Sequence, residues 1–144
     1  MTAPAERPVR FAGYASLFET LDGAGDRIMA GAFRKSLRQR GVSRTAMLWQ
    51  HDPERPIGRW TRLIETEDGL WAEGELTTGV GLAAEAARLL AGGAMNGLSI
   101  GFKARMAQRS ANRRERLLSE IDLWEISLVT FPQMEEARVR FLSN

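Results

Sequence analysis

Apolar and polar residues alternate along much of this chain, and short clusters of glycine, aspartate and proline interrupt the alternation. A period of two is typical of strands with one buried face, whereas a helix repeats its apolar positions every three or four residues. The sequence Glu67-Asp68-Gly69 between two such segments is a strong signal for a hairpin turn. The pattern predicts strands over residues 9–18, 45–50, 57–66, 70–77, 98–106 and 117–130.

Two shorter segments have helical spacing. Residues 32–40 place Phe33 and Leu37 on one face and end at Gly41, and residues 82–90 carry an apolar stripe. A short helix or strand is expected after Pro132. The elements together predict one α+β domain over residues 1–144, with an antiparallel β-barrel-like core of about six strands, peripheral short helices and a flexible N-terminus over residues 1–8.

Composition excludes several kinds of chemistry. The chain has 144 residues, no cysteine and one histidine, His51, so disulfides, thiolate metal sites and cysteine nucleophiles are excluded. The net charge of +2 does not require a nucleic-acid partner, and no apolar run is long enough to span a membrane or form a signal peptide. Residues 22–26 lack the later ligands of an EF-hand loop, and the arginine-rich residues 109–116 lack interleaved aromatics; we interpret both segments as turns.

Ser99 lies in the sequence Gly-Leu-Ser-Ile-Gly at residues 97–101, which matches the nucleophile-elbow pattern of α/β-hydrolases. Two features disfavour that fold: His51 precedes the serine, and the residues after Ser99 alternate like a strand. Strand parity puts Leu98, Ile100, Phe102, Ala104 and Met106 on a core face. Ser99 then stands on the other face between two glycines, which would leave room for a substrate backbone to approach. A polar residue beside a glycine bulge is the alternative.

His51 and Glu125 are the candidate partners of Ser99. Imidazole is the usual general base for a serine, and His51 ends the third predicted element with a side chain that can overlook a cleft. Unbroken alternation places Glu125 among apolar neighbours, where a carboxylate needs a partner: either His51 or an arginine. Glu120 and Asp122 replace it if the register slips by one residue. Asp52, adjacent to His51, would face the opposite way.

Seven motifs in order resemble the prohead maturation proteases of tailed phages. They are residues 11–18 (FAGYASLF), 25–28 (GDRI), 31–33 (GAF), 48–52 (LWQHD), 56–58 (PIG), 97–102 (GLSIGF) and 124–132 (WEISLVTFP). The resemblance covers nearly the whole chain. It implies a fold similar to herpesvirus assemblin, with Ser99 as nucleophile, His51 as base and Glu125 as the third member. Assemblin itself uses a second histidine there, which this chain lacks.

The resemblance also implies a function. Such proteases act in the bacterial cytoplasm inside assembling procapsids, remove scaffold or an N-terminal segment of the major capsid protein, and often cut themselves; a domesticated phage-like particle, such as a gene transfer agent, could use the same enzyme. We therefore expect a serine endopeptidase with capsid protein and scaffold as substrates, a weak homodimer, no cofactor or metal, and no nucleic-acid or membrane partner. The alternatives are a non-catalytic capsid or scaffold-interaction module of the same fold, an esterase and a nucleic-acid module.

Overall fold

The computed structural model describes residues 8–143 of the chain, and nearly all of the N-terminal segment expected to be flexible, residues 1–8, lies outside them. All six predicted strands and both predicted helices are present. Two further strands are short: one follows the turn at residues 22–26, and the other is the C-terminal element. In chain order the elements are β1 (Val9–Leu17), β2 (Asp26–Ile28), α1 (Arg34–Gln39), a 3-10 turn (Val42–Arg44), β3 (Ala46–Trp49), β4 (Asp52–Glu65), β5 (Gly69–Leu76), α2 (Gly81–Ala91), β6 (Gly97–Arg109), β7 (Arg116–Val129) and β8 (Val139–Ser143).

The strands form one mixed sheet in the order β2-β7-β3-β4-β5-β1-β8, with β6 on the other edge of β7. The sheet curls until a single bridge between Gly97 and Arg138 joins the start of β6 to the chain just before β8. The predicted α+β fold with a barrel-like core and short peripheral helices is therefore confirmed. The sheet is not purely antiparallel, because β2 and β3 both run parallel to β7.

Strand β7 is the centre of this arrangement. Its residues 116–118 pair with β2 and its residues 125–128 pair with β3 along one edge, while β6 pairs along the whole of the other edge. A parallel pairing of segments so distant in sequence leaves no local trace, because the connection is not a turn. Alternation predicted the strands but not which of them are neighbours.

The core fills the inside of the curl. Its largest fully buried side chain is Trp60, whose ring lies edge-on to Phe11 at 5.4 Å between centroids and whose Nε1–H donates to the carbonyl of Ala46 at 3.2 Å. This bond lets the indole be buried without an unsatisfied donor. Met106, predicted as a core residue, is instead exposed, because the register between β6 and β7 shifts on both sides of it.

A bulge in β7 changes which side chains face the core. Opposite the step from Gly101 to Phe102, β7 advances by two residues, and Trp124 is the additional one, half exposed at the surface. Leu118, near the start of the strand, is fully buried and lies before a separate register shift opposite Met106 and Ala107. Around the bulge, the residues that face the core change from odd to even numbers: the fully buried apolar side chains are Ile121 and Leu123 before it and Ile126 and Leu128 after it. The single unbroken face from Ile121 to Val129 predicted from alternation is wrong for this reason.

Helix α1 satisfies a backbone group beside the bulge. The N–H of Leu123 donates to the hydroxyl of Ser36 at 2.8 Å, and both residues are buried. A buried backbone N–H without a partner is costly, so this side chain supports the distorted segment that leads to Glu125. In residues 8–143, no helix is long and apolar enough to cross a membrane.

We expect Ser36→Ala to lower the free energy of unfolding by about 1–3 kcal/mol, because the buried N–H of Leu123 would lose the hydroxyl that accepts its hydrogen bond. Urea denaturation followed by circular dichroism measures this change. Ser119→Ala, which truncates an exposed serine on β7, is the matched control and should stay within about 0.5 kcal/mol of wild type. Equal stabilities for the two variants would show that Ser36 does not support the bulge.

Candidate active site

Ser99 lies on β6, directly opposite Ser127 on β7, and the next pair on the same face is Gly101 with Glu125. Directly opposed side chains of two antiparallel strands share a face and nearly touch. The bulge at Trp124 therefore decides that Glu125 and Ser127 point to the side of Ser99. Ser99 is buried, with 3% of its surface exposed.

His51 reaches this face from a tight turn between β3 and β4. Gln50 and His51 have φ values of 51° and 61°, and Trp49 pairs with Asp52 across them. Positive φ at both central residues is the pattern of a type I′ hairpin turn, which usually contains Asn-Gly. Side chains with a Cβ are strained in this region, at a cost of about 1–2 kcal/mol each. The turn reverses the chain, and Asp52 begins β4 directly after it.

Four hydrogen bonds from the end of β7 hold the strained turn. Two use the backbone: the Gln50 N–H donates to the carbonyl of Leu128 at 3.0 Å, and the His51 N–H donates to Oγ of Ser127 at 3.0 Å. The other two join the Gln50 amide to Thr130, whose hydroxyl and backbone N–H lie 2.8 Å and 3.2 Å from it. The orientation of the imidazole therefore depends on β7 as much as on β3.

The three residues predicted from the sequence form a continuous relay. Nε2 of His51 lies 3.0 Å from Oγ of Ser99, and Nδ1 lies 2.7 Å from Oε1 of Glu125. A hydrogen on Nδ1 directed to the carboxylate leaves Nε2 free to accept the serine hydroxyl hydrogen. The geometry is that of a nucleophile, a base and an orienting acid.

Glu125 is 8% exposed, so both of its oxygens need partners. Oε1 contacts His51, and Oε2 accepts a hydrogen bond of 2.6 Å from the hydroxyl of Ser127. Ser127 also accepts the backbone N–H of His51, so it ties the acid to the turn that carries the base. The sequence analysis did not assign a role to Ser127. The available signal was a second polar residue, two positions from a carboxylate, in the otherwise apolar residues 123–129.

The environment of His51 favours its charged form. The hydrogen bond with Glu125, helped by the negative charge of that carboxylate, raises the pKa of His51 above its ordinary value of 6.5. Burial acts in the opposite direction, but the side chain remains 43% exposed. A base with a raised pKa accepts a proton more readily, while fewer molecules are in the neutral, reactive form at acidic pH.

The two glycines that flank Ser99 do not leave space for a substrate, contrary to the expectation from the sequence. A Cβ on Gly101 would lie 2.8 Å from Oε1 of Glu125, and one on Gly97 would lie 2.6 Å from the carbonyl oxygen of Val129. Both separations are below any normal van der Waals contact. The carboxylate of Glu125 thus occupies the space that a side chain at Gly101 would fill.

The carboxylates considered as alternatives to Glu125 have other partners. Nε of Arg105 donates to Oδ2 of Asp122 at 2.6 Å, and Glu120 lies 4.0 Å from the ammonium of Lys35. Asp52, on the other side of the turn, pairs with Arg55 at 3.3 Å. Glu125 is therefore the carboxylate that reaches His51. Within residues 8–143, no group of three or more histidine, aspartate or glutamate side chains is arranged to hold a metal ion.

The fold is similar to those of two solved viral proteases. The bacteriophage T4 capsid assembly protease superposes with a TM-score of 0.64 at 11% identity, over 86% of this chain and 84% of that one. The KSHV protease, in complex with a hexapeptide phosphonate inhibitor, superposes with a TM-score of 0.57 at 12% identity, over 96% of this chain and 66% of that one. The assemblin-like fold expected from the sequence is confirmed.

Two phage proteins are similar in sequence. The prohead protease of Enterobacteria phage HK97 is 37% identical over 136 residues, which cover 93% of this chain and 60% of that protein. The prohead protease of Escherichia phage T5 is 30% identical over 128 residues, which cover 88% of this chain and again 60% of the relative. The chain thus spans about three-fifths of the length of each. Since the family model for the caudovirus prohead serine protease also matches residues 2–144, the chain belongs to that family.

Proposed function

We propose that this chain is a serine endopeptidase that cleaves scaffold, the N-terminal segment of the major capsid protein, or both, during maturation of a phage or phage-like head. The observation that carries the proposal is the relay in which His51 lies within hydrogen-bond distance of both Ser99 and Glu125. Membership of the prohead serine protease family and similarity to the HK97 and T5 prohead proteases support the substrate class.

The proposed reaction is acyl transfer. As Oγ of Ser99 attacks the peptide carbonyl carbon, Nε2 of neutral His51 takes the hydroxyl proton, and the Glu125 carboxylate stabilises the imidazolium through Nδ1. The imidazolium then protonates the leaving amine as the carbon–nitrogen bond breaks. Water, deprotonated by the same imidazole, then attacks the acyl carbon; the ester bond to Oγ of Ser99 breaks, and the imidazolium returns its proton to that oxygen. The chemistry calls for no cofactor.

Ser127 and Gly101 act in this scheme as positioning residues. Ser127 holds the second carboxylate oxygen of Glu125 and the backbone of His51, and Gly101 supplies the space that the carboxylate fills. Neither needs to touch the substrate. Their effect is to reduce the conformational freedom of the acid and the base before substrate binds.

The wider setting follows from the same proposal. We place the enzyme inside assembling procapsids in the bacterial cytoplasm, with self-cleavage as an additional reaction. The weak homodimer expected from the sequence stays a prediction. Among the described residues, large apolar side chains that include Trp124 and Phe131 are exposed, and burying them would favour such a contact.

We expect Ser99→Ala to fold normally and to lose capsid-protein processing, since removal of a triad nucleophile costs about a millionfold in kcat. Co-expression with the capsid gene, followed by mass measurement of the capsid protein, tests this. A fluorophosphonate should label Ser99 in the wild-type chain and leave the Ala variant unlabelled. Normal processing by the folded variant would refute the nucleophile assignment, and an unlabelled wild type would favour a non-catalytic interaction module.

The acidic limb of the pH profile tests Glu125. Because a base works in its neutral form and Glu125 raises the pKa of His51, the acidic limb of kcat/KM should lie above 6.5 in the wild-type enzyme. Glu125→Gln should move that limb to lower pH and reduce kcat by roughly ten-thousandfold. Asp122→Asn, a matched change on the same strand, should preserve both. An unmoved limb in Glu125→Gln would exclude Glu125 as the partner of His51.

Gly101→Ala tests the positioning of the acid. The added methyl group would displace the Glu125 carboxylate, so activity should fall and the pKa of His51, measured by NMR titration, should move toward 6.5. Gly81→Ala, where an added Cβ has nothing within 4 Å, is the control and should change neither quantity. A loss of activity with an unchanged pKa would mean that Gly101 serves another purpose.

A further inference from the structure

A cavity of about 190 Å³ opens beside Ser99, which forms part of its wall. Its other walls come from the end of β1, the turn before β2, β2 itself, β6 and the segment that follows β7. Pockets for drug-sized ligands occupy roughly 300–1,000 Å³, so this one is the size for a single side chain. The relay described above does not use it.

Much of the wall of the cavity is apolar. The apolar side chains that line it are Ile28, Leu98, Ile100, Phe102 and Met134. Ile28 and Leu98 are fully buried and belong to the core, so this part of the wall is rigid. The surface suits the methylene groups of a long side chain.

The charged residues that line the cavity, Asp22 and Asp26, are both acidic. Asp26 is neutralised by Arg116, whose Nε and second guanidinium nitrogen lie 2.9 Å and 3.0 Å from its two oxygens. Oδ1 of Asp22 accepts the backbone N–H groups of Ala24 and Asp26 at 2.8 Å and 3.0 Å. Its other oxygen forms no hydrogen bond within residues 8–143. Arg116 attracts this carboxylate as well as that of Asp26, but one guanidinium charge offsets only one of the two carboxylate charges.

A second polar group has no partner. Oγ of Ser16, on β1, is fully buried, lines the same cavity and makes no hydrogen bond within the described part of the chain. The residue is 1% exposed. A buried hydroxyl without a partner costs about 1–3 kcal/mol, but this one is closed to solvent, so the contact available to a ligand is the carboxylate of Asp22.

We propose that this cavity binds the side chain of a lysine or arginine of the substrate, adjacent to the scissile bond. The proposal rests on the proposed peptidase function. The methylene groups of the side chain pack on the apolar wall, and its charged nitrogen donates to the carboxylate of Asp22. A charge-assisted bond of this kind discriminates by roughly tenfold or more against an uncharged side chain of equal length.

The test is a map of cleavage sites. The full chain is incubated with proteome-derived peptides made by a glutamate-specific protease, so that lysine and arginine are internal, and new termini are identified by mass spectrometry. Ser99→Ala provides the blank. We expect lysine and arginine to be enriched at one position next to the cut, and Asp22→Asn, which keeps the Oδ1 acceptor of the turn, to reduce that enrichment by roughly tenfold.

Two further variants complete the test. Ser16→Ala removes a hydroxyl of the cavity wall that is closed to solvent, without altering charge, and should leave most of the enrichment intact. Asp68→Asn makes the same chemical change as Asp22→Asn in the exposed β4–β5 turn and should leave the enrichment intact. Should either cavity variant be unfolded by circular dichroism, enrichment by the wild-type chain still decides.

The outcomes separate the two proposals. If no cut depends on Ser99, the peptidase function fails and this inference fails with it. If cuts depend on Ser99 but show no preference for basic residues, or if the preference survives Asp22→Asn, the peptidase function stands and the cavity has been misassigned.

Discussion

The pairing of β7 with neighbours on both edges is the constraint on which the rest of the structure depends. Strands β2 and β3 lie along one edge and β6 along the other, so β7 brings segments more than 70 residues apart in sequence into contact. The bulge at Trp124 then shifts the alternation of side chains between the two faces of β7 by one residue. Just before the bulge, Ile121 and Leu123 enter the core; after it, Ile126 and Leu128 do, and Glu125 and Ser127 lie on the face of Ser99. If the pairing continued without a bulge, Trp124 would lie opposite Gly101 and the carboxylate of Glu125 would point to the other face.

The buried carboxylate explains much of what surrounds it. A charged group with 8% exposure is tolerated only when each oxygen is bonded, and Glu125 uses His51 and Ser127 for this purpose. Ser127 in turn holds the His51 backbone in a left-handed conformation that is unfavourable for a residue with a Cβ. The strain of the turn and the burial of the acid are thus offset by the same serine. A substitution at any of these residues would change the orientation of the imidazole, since each group orients the next.

The glycines around Ser99 illustrate how one pattern can serve two folds. In a nucleophile elbow they permit a sharp strand-to-helix turn. Here β6 continues for eight residues beyond Gly101, and the missing side chains make room for Glu125 on one side and for the carbonyl of Val129 on the other. The nearby cavity is formed differently: it is a gap between β1, β2 and β6, lined by groups whose hydrogen-bonding capacity is incompletely used.

Alternation and turn residues were sufficient to predict six strands and two helices, because burial of one sheet face imposes its period on the local sequence. The lone histidine, the serine between two glycines and a carboxylate between apolar residues made Ser99, His51 and Glu125 candidates with alternatives still open, and the resemblance to prohead proteases assigned their roles. Only the tertiary structure decided the parallel pairings of β2 and β3, because hydrogen bonds between segments distant in sequence leave no periodicity in either one. The bulge at Trp124 was also decided by tertiary structure. Unbroken alternation put Glu125 on the correct strand but on the same face as Leu123, and only the pairing with β6 shows that the two side chains lie on opposite faces. The role of Ser127 and the cavity beside Ser99 were likewise decided by packing, because each depends on distances between side chains that the sequence does not contain.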